Sequence, residues 1–166
     1  MGILIFFTVL LVVAVIILKI YFPEIFLEEE KKSIYNYKRK DFLMSRAEHE
    51  FFDILVSIVG NQYYVFPQIH LSTILDNKVV GQNWRGAFRH IDEKSVDFVI
   101  CDKAYIKPLL AIELDDSTHD QENRRKRDIE VERILSNANL TLLRFGNNGH
   151  FDREEIKRTV LEKLIK

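Results

Sequence analysis

Hydrophobic and polar positions divide this chain into two parts. The first is an unbroken apolar run, Gly2 to Leu18 ("GILIFFTVLLVVAVIIL"), which continues through Lys19 into Ile20, Tyr21 and Phe22. A helix rises about 1.5 Å per residue, so roughly 20 residues cross the ~30 Å hydrocarbon layer. Lys19 can extend its amine to the headgroups, and Tyr21 and Phe22 suit the interface. The competing reading is a cleaved signal peptide, but nothing basic precedes the run and no A-x-A-like site follows it. Residues 1–22 are therefore expected to be a transmembrane anchor and residues 23–41, mixed in charge and tyrosine, a membrane-proximal linker.

From Phe42 onward the pattern becomes that of a globular domain, residues 42–166. In "SRAEHEFFDILVSIVG" a helical apolar face runs through Phe51, Phe52, Leu55, Ile58 and Val59. Ser45 with Glu48 three places on has capping-box spacing, and Gly60 is a natural stop. "YYVFPQIHL" predicts a strand that Pro67 bends or confines to a sheet edge. Residues 76–86 read as a loop. "SVDFVICD" and "PLLAIELDD" predict two strands joined by "KAYIK". "QENRRKRDIEVERILSNAN" predicts a helix with Val131, Ile134, Leu135 and Ala138 inward, then "LTLLRF" a strand and "DREEIKRTVLEKLI" a closing helix. Helix, three strands, helix, strand, helix implies an α/β mixed sheet with helices packed on it.

Composition adds limits rather than direction. The net charge of -1 supplies no global basic field, so any nucleic-acid contact must come from a local patch. The single cysteine, Cys101, cannot form an internal disulfide. The basic residues Lys19, Lys31, Lys32, Lys38, Arg39 and Lys40 all follow the apolar run, with Glu28, Glu29 and Glu30 among them. Positive residues favour the inside, so the expected state is a single-pass protein of the inner or plasma membrane with its domain in the cytoplasm.

The candidate chemistry lies in "AIELDDSTHD". Strand alternation puts Asp97, Val99 and Cys101 on one face, and Ala111, Glu113 and Asp115 on one face. A hairpin turning about Tyr105 would set Asp97 opposite Glu113, within ~5 Å between Cβ atoms. Carboxylates that close repel one another unless a cation sits among them. All-oxygen ligands suit Mg²⁺ or Mn²⁺. The plainer reading, that Asp115 and Asp116 end a strand and cap a helix, accounts least well for Asp97, set in an apolar run.

"VDFVICDKAYIKPLLAIELDDSTHDQENRRKRD" followed by "LTLLRF" resembles the PD-(D/E)XK restriction-endonuclease-like superfamily, in its very short patch repair endonuclease-like branch. More narrowly, the chain resembles a bacterial family, domain of unknown function 2726. The resemblance implies metal ligands at Asp97, Glu113 and Asp115, with Asp115 standing where the signature has lysine. It also implies that His119, beside Asp115 or Asp116, takes over the proton or leaving-group chemistry. Glu48 occupies the place of a first-helix glutamate that reaches toward the metal. Asp116 and Asp128 would support the site, Asp128 by pairing with Arg124 or orienting His119. Arg124, Arg125, Lys126 and Arg127 are candidate phosphate contacts, although such a run is more commonly a solvated helix face.

The function implied is a membrane-anchored, Mg²⁺- or Mn²⁺-dependent endonuclease acting on nucleic acid, DNA first. A homodimer is expected if both strands of a duplex are cut. The alternative is a catalytically weak or inactive nucleic-acid-binding or scaffolding module on the same fold. A third is hydrolysis of another phosphate ester.

Overall fold

A computed structural model describes residues 2–21, 35–116, 121–147 and 149–165. The chain divides into two units, Met1–Arg39 and Lys40–Lys166, so the globular unit begins two residues before the Phe42 boundary read from the sequence.

In the first unit, helix α1 (Gly2–Tyr21) is long and apolar enough to cross a membrane, a property that signal sequences share. Its large side chains are exposed and it contributes nothing to a core.

In the second unit, α2 (Arg46–Val59) starts at the expected capping box: Glu48 N–H donates to Ser45 Oγ, and Ser45 N–H donates to the Glu48 carboxylate at 2.6 Å. Two orphan amides of the first turn are thereby satisfied. Gly60 ends the helix with φ +53, a left-handed conformation that glycine adopts without a Cβ clash.

The sheet has order β1 (Tyr63–His70), β2 (Ser95–Asp102), β3 (Pro108–Asp116), β4 (Thr141–Asn147). The first two pairings are antiparallel and the last is parallel. Pro67 lies on β1, which stands at the edge of the sheet and pairs only with β2, the position where a strand proline is tolerated. The parallel step requires a crossover, which α5 (Gln121–Asn137) supplies.

The two faces of the sheet bury different partners. On one face, Phe98, Ile100, Leu110 and Ile112 pack with Phe51, Ile54, Leu55 and Val59 of α2, and with Ile156 and Val160 of α6 (Arg153–Leu164). On the other, Val99, Cys101 and Ala111 pack with Val131 and Leu135 of α5. Ala138, expected inward, lies one residue beyond the end of α5 and is exposed.

The 76–86 loop is corrected in part. Two short helices, α3 (Leu71–Ile74) and α4 (Trp84–Asp92), stand between β1 and β2 and bury Leu71 and Ile91 on the α5 face. Asn83 caps α4 by accepting from Gly86 N–H. The element order therefore carries two helices that the sequence pattern left out.

Candidate functional site

Four polar residues cross the sheet at one level. The β2–β3 ladder pairs Phe98 with Ile112, and the next step beyond it sets Asp97 beside Glu113, as the hairpin centred on Tyr105 requires. Glu113 is in turn the direct partner of Arg144 on β4. On β1, Gln68 falls between the pairs Pro67–Phe98 and Ile69–Val96, level with Asp97, and adopts φ +54.

Asp97 is half-buried, and its carboxylate accepts a 2.8 Å hydrogen bond from the Leu114 N–H. It thus continues the sheet's hydrogen bonding with a side chain. Burial raises its pKa, the Leu114 bond opposes that, and the charges of Glu48 and Asp115 raise it further.

Glu113 is the one buried charged residue among the described residues. Burial is the largest influence on it and pushes its pKa up to about 7; Arg144 pulls down, while Asp97 and Asp128 push up. Loss of hydration therefore outweighs the neighbouring guanidinium at this carboxyl.

Arg144 binds these acids together. One guanidinium nitrogen lies 2.7 Å from Glu113 Oε2, and the other 2.9 Å from Asp115 Oδ1 and 3.7 Å from Asp128 Oδ1. It also donates to the Asp128 carbonyl at 3.3 Å, joining α5 to the sheet. Its own pKa is raised by these acids against the effect of burial. The sequence reading missed Arg144. The signal was present in "LTLLRF", where a cation interrupts an apolar strand as Asp97 does in β2.

Asp97, Glu113, Asp115, Asp128 and Arg144 thus come together. Asp128 pairs with Arg144; its expected partners, Arg124 and His119, lie outside the described side chains. Glu48 is half-buried, and its oxygens are taken by Ser45 N–H and by Gln68 Nε2 at 2.8 Å. It reaches the acids through its charge on Asp97.

Lys126 and Arg127 are exposed on α5, and Arg127 exerts a charge effect that lowers the pKa of both Asp97 and Glu113. His119 lies outside the described residues, and the side chains of Asp116, Arg124 and Arg125 lie outside the described side chains.

An oxygen-only donor set suits a hard dication in kind. In the arrangement described, however, Arg144 already engages two of the three expected ligands. Among the described residues no three His, Cys, Asp or Glu side chains are grouped to hold a metal ion. A dication at these acids would compete with Arg144.

A protein-family model with the description "Protein of unknown function (DUF2726)" matches residues 40–164. The chain belongs to this family. The DUF2726 match begins where the second unit begins and leaves α1 outside. It contains every acid of the row as well as Arg144. Among curated proteins and solved structures, nothing matches the chain.

Proposed function

We propose that this DUF2726 protein is a divalent-metal-dependent phosphodiester hydrolase of the nuclease type, acting on DNA from the cytoplasmic face of a membrane. In this reading α1 is a retained single-pass anchor and the second unit is a restriction-endonuclease-like domain. The observation that carries it is the convergence of Asp97, Glu113 and Asp115 on one side of adjoining strands, with Glu113 buried. Acids so placed oppose folding, and perturbed carboxylates of this kind concentrate where their charge is used.

Asp97, Glu113 and Asp115 would hold Mg²⁺ or Mn²⁺, which when bound polarises a phosphate and lowers the pKa of an attacking water. Arg127 and Arg144 offset the negative charge that an incoming phosphodiester adds to the acids. His119 carries the proton to or from the reacting oxygens, the work that the absent signature lysine leaves open.

A second reading, a non-catalytic nucleic-acid-binding module, is favoured by one observation. Arg144 already pairs with both Glu113 and Asp115 without a dication. Nicking of supercoiled plasmid by the purified protein separates the two. Hydrolysis predicts conversion to open circles that requires Mg²⁺ or Mn²⁺ and disappears in Asp97→Asn. Binding of the plasmid without nicking at any divalent concentration supports the module instead.

A further inference from the structure

Helix α4 presents a face that the fold does not bury. Its core contribution is Ile91 alone, while Trp84 and Phe88 remain 47% and 40% exposed. These two rings stand one turn apart, and Arg85 and Arg89 run beside them at the same spacing. The Arg85 guanidinium carbon lies 4.8 Å from the centroid of the Trp84 ring. Asp92, the carboxylate on the same stripe, is turned toward α3 and accepts from Ser72 Oγ at 3.3 Å.

The face is held in place. His90 Nε2 lies 2.6 Å from Glu130 Oε1 of α5, and Lys94 Nζ lies 3.2 Å from Glu130 Oε2. The helix also leads directly into β2, whose third residue is Asp97.

A partner for this stripe must offer flat apolar surfaces and regular negative charge together. A nucleic-acid strand with unpaired bases does so: base faces stack on aromatic rings and guanidinium planes, and phosphates meet the arginines. The geometry points to α4 as a nucleic-acid contact surface, with Trp84 and Phe88 stacking on unpaired bases and Arg85 and Arg89 meeting the backbone. This rests on the nucleic-acid part of the proposed function and is independent of hydrolysis.

Trp84 is the only tryptophan in the chain, so the face carries its own reporter. The full chain in detergent micelles with EDTA is titrated with a short single-stranded thymidine oligonucleotide, following tryptophan emission. Saturable quenching is expected. The Arg85→Ala/Arg89→Ala double variant should have a salt dependence shallower by about 1.4 in log–log slope, at ~0.7 per phosphate contact. Phe88→Leu should bind roughly tenfold more weakly.

Oligonucleotide binding seen by anisotropy with unchanged Trp84 emission, and with equal affinity in both variants, overturns the assignment. Quenching by anionic phospholipid vesicles with no response to the oligonucleotide overturns it in favour of a lipid surface. Saturable quenching by the oligonucleotide without Mg²⁺-dependent cleavage upholds the face and removes only hydrolysis.

Discussion

At Glu113, burial and a neighbouring guanidinium pull one carboxylate in opposite directions, and burial prevails. With a folded pKa near 7 against an ordinary 4.5, the folded state holds a proton that the unfolded state releases. The contribution of Glu113 is therefore full below about pH 4.5 and is lost as the pH rises through about 7, a change of roughly 3 kcal/mol. Glu113→Gln, which cannot ionise, should remove that slope. In metal-free urea unfolding it should lose less stability than the parent between pH 5 and pH 8; parallel slopes would refute the buried-acid account. Asp97 and Glu113 were legible in the sequence because an acid inside a continuous apolar run has no ordinary place there. The role of Arg144 was not legible. Whether an arginine in "LTLLRF" meets an acid depends on the β3–β4 register, a long-range pairing made across the α5 crossover.

Among the elements, those with a strong local signal appeared where the pattern put them. Helix α2 has both a capping box and a wide apolar stripe, and β2 and β3 are apolar runs, buried on both faces, around a short turn. Helix α4 carries a weaker signal: Trp84, Ala87, Phe88 and Ile91 have helical spacing, but the helix is nine residues long, includes Gly86 and buries only Ile91. Its existence depends on packing against the α5 face. The capping box also makes a test of Glu48. A glutamine there can still accept from Ser45 N–H, so Glu48→Gln should change stability by less than about 1 kcal/mol. It should also lower the pKa of Asp97, whose acidity Glu48 now opposes by its charge. Carboxyl NMR titration reads this directly, and an unmoved Asp97 would confine Glu48 to capping and to Gln68.

For the whole molecule, the division into an apolar helix and an α/β domain was readable from hydrophobicity alone, because period and charge both change after Tyr21. The assignment of the domain to the cytoplasm rests on the basic residues that follow the helix, Lys38, Arg39 and Lys40 among them. A reporter fused to the C-terminus should therefore resist external protease in intact cells and be digested after lysis. Digestion without lysis would place the domain on the other side. A mature chain beginning after Phe22 would make the apolar run a signal sequence.

The central claim is that Asp97, Glu113 and Asp115 form a divalent-metal site with Arg144 as the competing internal cation. Thermal unfolding of the full chain in detergent, with and without Mn²⁺, tests it without any knowledge of the substrate. A ligand bound only by the folded state stabilises by mass action, about 2.7 kcal/mol at a hundredfold excess over Kd. The parent should melt at a higher temperature in millimolar Mn²⁺, whereas Asp97→Asn should gain much less. Arg144→Gln, freed of the competing guanidinium, should respond at lower Mn²⁺ than the parent. Equal Mn²⁺ responses in the parent and Asp97→Asn, or none in either, would contradict the metal site.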